Sequence, residues 1–154
     1  MCLRKLEAVL ATDIEDLRER FLNIEFDEVE FEIDGKRFRE YAVAAGETDP
    51  KFTDISNPDF QAPPTFVSTL VGRRTFPSDF PALNGVSMDA GKQVEWKAPV
   101  RDGMKLVGRS HLHDIYTKTG RSGRMVFLVT RMELYDKEGT HVANADTRTV
   151  IRER

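Results

Sequence analysis

Glu47 and Asp49 stand two residues apart in Gly46-Glu47-Thr48-Asp49-Pro50-Lys51-Phe52, immediately after an amphipathic stretch. Carboxylates in such a loop can hold a water and take its proton, and an imidazole beside them would bring that chemistry close to neutral pH. This loop has no imidazole. Glu40, earlier in the same amphipathic stretch, is a further carboxylate able to activate water. His111 and His113 fall on one face of a predicted strand and His141 on another, where each reads better as an exposed or interface residue than as a relocated base. Glu47 and Asp49 also have a plain structural use, capping the helix end or accepting from loop amides, and this use is preferred. Cys2, close to the chain start, is not expected to be a nucleophile.

Other residues suit ligand recognition. A helix starting near Pro64-Thr65 would offer free amides able to polarise a carbonyl oxygen, although an ordinary helix start explains the same residues. Arg73, Arg74, Arg121 and Arg124 have the chemistry to meet phosphates, and each alone is equally a solvated charge. With one cysteine, no internal disulfide or cysteine metal cluster can form, and no metal site is expected.

The 154 residues suit one domain with a substantial core. Apolar content of 40% and charged content of 32% describe an ordinary globular chain rather than a disordered one. A formal charge of -3 lacks the basic excess that nucleic acid would require. No segment approaches the roughly 20 apolar residues that cross a bilayer, and the first residues lack the apolar core of a signal peptide. The expectation is a cytoplasmic protein with neither nucleic acid nor membrane as partner.

The elements that would carry these residues follow from periodicity. Leu3, Leu6 and Leu10, then Ile14, Leu17 and Phe21, are spaced for helix, with Thr12 and Glu15 in the form of a capping box. Residues 1–25 thus read as a helical extension and 26–154 as the main domain. Val29, Phe31 and Ile33 alternate with glutamates as a half-buried strand. Asp34 caps a helix from Lys36 to Ala45, whose face is Phe38, Tyr41, Ala42 and Ala45 and whose end is Gly46. Thr48 to Gly91 is broken by six prolines and reads as loop around one short helix, with Phe66, Val67, Leu70 and Val71 as its apolar side. The last third is strand: Gln93 to Trp96, Met104 to Lys118, Met125 to Tyr135 and Thr140 to Arg152, separated by turns at Asp102-Gly103, Gly120-Gly123 and Asp136-Gly139. One helix against one antiparallel sheet is an α+β domain. Phe38, Tyr41, Val94, Trp96, Phe127, Val129 and Leu134 are expected to share its core.

The chain resembles the MaoC-like hydratases and dehydratases, more closely the dehydratase-like N-terminal domain that pairs with a catalytic MaoC domain. The resemblance runs from about Phe26 to Arg152. It rests on Tyr41 to Pro50, Ala62-Pro63-Pro64-Thr65-Phe66, Trp96 to Gly103, Asp114 to Lys118, Gly120-Arg121-Ser122-Gly123 and Ala143-Asn144-Ala145, in this order. The family's catalytic loop reads Gly-Asp-x-Asn-Pro-x-His, so here Glu47 replaces the Asp, Asp49 the Asn and Phe52 the His.

The resemblance implies a single hot-dog domain, a long central helix wrapped by an antiparallel sheet. It further implies a substrate carried as a thioester of coenzyme A (CoA) or acyl carrier protein, with no permanently bound cofactor. Dimers form through hot-dog sheets, either with a second copy or with a catalytic MaoC-like chain. Without the histidine, the expected role is the non-catalytic half of an enoyl-thioester hydratase or dehydratase that shapes the acyl tunnel. Alternatives are a homodimeric hydratase using Glu47 and Asp49, a hot-dog thioesterase using Glu40 or Glu47, and an acyl-CoA-binding module without turnover.

Overall fold

The computed structural model describes residues 11–154; Cys2 and the Leu3, Leu6 and Leu10 stripe lie outside the described residues. The first described helix, α1 (Ile14–Phe21), is capped by Asp13, whose carboxylate accepts from the Asp16 amide. The cap is therefore one residue beyond the expected Thr12. Thr12 lies just outside the helix, and its amide donates to Glu153 Oε1 at 2.8 Å rather than to Glu15 as a capping box would have it.

Next come β1 (Glu25–Glu32), α2 (Gly35–Ala44), the short α3 (Pro50–Thr53) and a 3-10 turn at Pro64–Thr69. Four long strands follow: β2 (Gly85–Trp96), β3 (Lys105–Gly120), β4 (Gly123–Tyr135) and β5 (His141–Glu153). They form one sheet in the order β1-β3-β4-β5-β2, with every neighbouring pair antiparallel. No helix among the described residues is long and apolar enough to cross a membrane.

Strand β2 starts well before the Gln93 that sequence periodicity indicated. It is an edge strand and mostly exposed, so its first half lacks an apolar alternation, and a register shift between Asp89 and Lys92 breaks the period. Gly91 (φ 101°) makes that shift possible, its amide donating to Asp89 Oδ1 at 2.7 Å.

The inner face of the sheet carries two apolar clusters. In the first, Phe38 and Ala42 of α2 pack with Phe66, Leu106, Leu134 and Ala143, all buried. Phe38 sits 4.7 Å from Phe60 and 5.9 Å from Phe66, ring centre to ring centre. In the second, Leu17 and Phe21 of α1 cover Leu112, Ile115, Val126, Leu128 and Ile151. A bulge between Leu112 and Asp114 adds one residue to β3, which keeps Leu112 and Ile115 facing the same side. Fully burying a side chain of this size is worth about 1.5–3 kcal/mol, so each cluster holds its helix to the sheet.

Of the expected core, Phe38 and Leu134 are fully buried, and Tyr41 and Val94 pack at the margin of the first cluster. Trp96 is 44% exposed because it ends the edge strand. Phe127 and Val129 face away from α2, in phase opposite to Val126 and Leu128; Phe127 stacks on Tyr116 at 4.9 Å on the outer face. Both faces of this central strand are apolar, so its period does not say which face meets the helix.

Candidate functional site

Helix α2 ends in a Schellman arrangement. Gly46 adopts φ 81°, its amide donates to the Val43 carbonyl, and the Glu47 amide donates back to the Ala42 carbonyl at 2.9 Å. The chain then re-enters helix at once. Asp49 caps α3, accepting from the Lys51 amide at 3.0 Å, and the Lys51 ammonium lies 3.6 Å from the same carboxylate. That ammonium also sits 4.9 Å from the centre of the Phe52 ring. Arg39 of α2 donates to the Thr53 carbonyl at 2.7 Å and pins α3 against the helix. Asp49 thus caps α3 through one carboxylate oxygen, Oδ1. Glu47 is exposed and makes no side-chain hydrogen bond among the described residues. Glu40 is exposed on α2.

The three histidines are elsewhere. His111 lies opposite Arg131, on the outer face of the sheet, with its ring 5.7 Å from that of His113. Burial pushes the His111 pKa down, against the pull of Glu133. His141 stacks on Tyr135 at 4.8 Å and meets Asn144 Oδ1 at 2.6 Å, and Asn144 in turn donates to Glu95. Helix α2 and its loop pack on the inner face. The sheet therefore separates all three imidazoles from Glu47 and Asp49 within this chain.

The Pro64–Thr69 element is a six-residue 3-10 turn rather than an α-helix. Pro64 has no amide hydrogen and the Phe66 amide is used by the Pro63 carbonyl, so its start offers fewer free donors than the sequence implied. Tyr41 donates to Thr65 Oγ1 at 2.9 Å, tying this turn to α2. Val71, expected on the apolar side, is 71% exposed because the turn has ended before it.

Beyond this turn, residues 70–75 arch over the middle of the sheet and enclose a cavity of about 160 Å³. Its floor is set by strand register. Lys92 of β2 lies opposite Thr147 of β5, which lies opposite Thr130 of β4. Beside this row are Ser110 and Met132, themselves opposite each other. A polar band thus separates the two apolar clusters, where neither α1 nor α2 covers the sheet. The residues were visible in the sequence as polar positions in the inward phase of adjacent strands, but that reading needs the register.

The arginines do not form one cluster. The Arg73 and Arg74 amides both donate to Asp27 Oδ2, and the Arg73 guanidinium donates to the Glu28 carbonyl. Arg124 is engaged at the other end of the sheet, 3.0 Å from Glu153 and 2.9 Å from the Thr12 carbonyl. Burial raises the Glu153 pKa, but the bonds from Thr12 and Arg124 outweigh it and hold the carboxylate below its usual range. Arg124 opposes Thr119 and Asp27 opposes Ser110, positions about 30 Å apart along β3 at ~3.3 Å per residue. Arg121 lies exposed in the β3–β4 turn. Arg124 thus pairs with Glu153 at the end of the sheet away from Arg73 and Arg74. Arg74 alone of the four lines the cavity.

Helix α2 packed on the inner face, the five-stranded antiparallel sheet and the Gly46 loop together match the hot-dog fold of the MaoC-like dehydratases. The chain belongs to the family described as FAS1-like, dehydratase domain region, whose profile matches residues 20–145. A UPF0336 protein of Parafrankia sp. is 30% identical over 135 residues, covering 81% of this chain and 87% of that protein. A chain of the Mycobacterium tuberculosis HadBC (3R-hydroxyacyl-ACP dehydratase) complex shares the fold at TM-score 0.63 and 22% identity, over 92% of this chain and 99% of that one. A chain of the ChsH1-ChsH2 complex from the same organism aligns at TM-score 0.63 and 14% identity, over 92% and 90% of the two chains.

Proposed function

We propose that this protein is the non-catalytic half of an enoyl-thioester hydratase or dehydratase. It pairs through its hot-dog domain with a catalytic MaoC-like chain in the cytoplasm and shapes the tunnel that holds the acyl group. The observation that carries this reading is Phe52 in the histidine's place, with the sheet between the loop and every imidazole of the chain. Hydration needs a water held and deprotonated at Cβ and a proton delivered at Cα; the loop of Glu47 supplies no imidazole for this exchange.

Two features support pairing. Strand β2 is an edge strand whose outer backbone groups meet no partner strand among the described residues. Val71 and Trp96, at the cavity rim and on that strand, are large exposed apolar residues. The HadBC and ChsH1-ChsH2 structures are complexes of two different chains, which fits the same arrangement.

The test is hydration of crotonyl-CoA and of a longer enoyl-CoA by the purified chain, alone and mixed with a catalytic MaoC-like chain. The expected result is no useful turnover alone and activity in the mixture that depends on the catalytic chain's own Asp and His. Robust hydration by this chain alone, abolished by Glu47→Ala, would establish a self-sufficient hydratase. Release of free CoA would establish a thioesterase.

A further inference from the structure

We propose that the cavity beneath residues 70–75 receives the far end of the acyl chain and selects one that carries an oxygen substituent there over a plain alkyl end. This rests on the reading of the protein as a tunnel-forming subunit and names the substrate class of that tunnel.

The argument begins with Ser110. It is only 2% exposed, yet its hydroxyl has no hydrogen-bond partner among the described residues and lines the cavity. The hydroxyl is not sealed off, since no fully occluded polar side-chain atom lacks a partner among them. It opens onto the cavity. Thr147 lines the same space, also without a side-chain hydrogen bond among the described residues. Thr130 donates to the Thr75 carbonyl at 3.1 Å, which leaves its oxygen able to accept. The Lys92 ammonium gives one of its three hydrogens to the Ser68 carbonyl at 3.0 Å and keeps two.

A floor meant only for packing would continue the apolar clusters on either side. A saturated chain end would displace the water that satisfies Ser110 and Thr147 and return no bond to them. A hydroxyl or another acceptor oxygen restores those bonds, while Met132 and Leu70 flank the preceding carbons. Sites built to hydrogen-bond a substrate group discriminate most strongly against the analogue that lacks it. The volume of about 160 Å³ suits a group on the six-carbon scale, comparable to an apolar cavity of about 150 Å³ that takes a benzene ring.

The experiment is a titration of the isotope-labelled protein followed through the backbone amides of Ser110, Thr130 and Thr147. The probes are the N-acetylcysteamine thioesters of hexanoate and 6-hydroxyhexanoate, with 1,6-hexanediol as a probe lacking the thioester. The hydroxylated thioester should bind about tenfold tighter than the plain one, the difference expected for one satisfied hydrogen bond. Ser110→Ala and Thr147→Val, both close in shape to the originals, should bring the two thioesters within about twofold of each other. Equal or tighter binding of the hexanoyl thioester, an unchanged preference in both variants, or no perturbation of these amides by any probe would each overturn the proposal. If the diol binds as well as its thioester, the polar preference stands and the link to thioester chemistry falls, which separates this inference from the functional reading beneath it.

Discussion

The backbone amide of Gly35 donates to Asp102 Oδ1 at 2.7 Å, and a Cβ on Gly35 would stand 2.7 Å from the Asp102 Cγ. The first amides of α2 are thereby satisfied from two directions: Asp34 caps the Lys36 amide at 2.9 Å, and the β2–β3 connection supplies Asp102. This contact fixes the helix that carries the Gly46 loop to the sheet it packs on. Asp102→Ala should cost about 1 kcal/mol, the usual loss for a helix-start acceptor. Gly35→Ala should cost about 1–3 kcal/mol, because the new methyl displaces the Asp102 side chain. In an Asp102→Gly background the Gly35→Ala cost should fall by at least ~0.5 kcal/mol, since both the Cγ at 2.7 Å and the Cβ at 2.8 Å are then gone, whereas Asp102→Ala would keep the Cβ. Urea titration of the four proteins of this cycle measures this; strictly additive costs would show that the strain lies elsewhere.

Asp49 and Glu47 should behave differently although both come from one loop. Asp49→Ala removes the α3 cap and should cost about 0.5–2 kcal/mol, whereas Asp49→Asn keeps an acceptor and should cost little. Glu47→Ala, at an exposed site, should stay within about 0.5 kcal/mol. Assembled with a catalytic partner, Asp49→Asn should retain full hydratase activity. A well-folded Asp49→Asn complex with activity reduced a hundredfold or more would give that carboxylate a chemical role.

Phe127 and Leu128 test the facing of β4. Leu128 is fully buried in the cluster under α1, and Leu128→Ala should cost about 2–5 kcal/mol. Phe127 lies on the outer face, stacked on Tyr116 with the rings 1° from parallel, and Phe127→Ala should cost nearer 1 kcal/mol. Comparable losses for the two, by chemical denaturation, would reverse this assignment.

The contrast also shows what the amino-acid sequence makes legible. Helix α2 could be located from Asp34, the Phe38, Tyr41 and Ala42 spacing, and Gly46, because each of these is a local signal with a local cause. Strand turns at Gly103, Gly123 and Gly139 were readable for the same reason, and all three adopt positive φ. The facing of Phe127 was not, since a strand buried on both faces has no polar side to mark it. The Arg124–Glu153 pair and the band of Lys92, Thr147 and Thr130 join residues far apart in sequence, so only the register brings them together. The loss of the imidazole at Phe52 was visible at once. That the sheet lies between the loop and His111, His113 and His141 was not.

His111 should make stability fall on mild acidification. Its pKa is held below the ordinary 6.5, first by burial, with His113 and Arg131 opposing a second positive charge and Glu133 and Asp146 only partly compensating. Glu25 faces it from β1. As pH drops through 6.5 toward the lower native value, the unfolded chain takes up the proton and the folded chain does not. The unfolded state then holds more protons, so unfolding becomes easier as pH falls; below the native value the effect levels off. The carboxylates Glu95 and Glu153 are depressed from 4.5, so their stabilisation is lost only at lower pH, as each passes its folded value. The interval from pH 7 to 5 therefore isolates the histidine contribution. His111→Gln should flatten the decline in unfolding free energy over that interval, read from urea titrations at half-unit steps. A wild-type protein that gains stability between pH 7 and 5, or a variant with the same slope as the wild type, would show that His111 is not the group responsible.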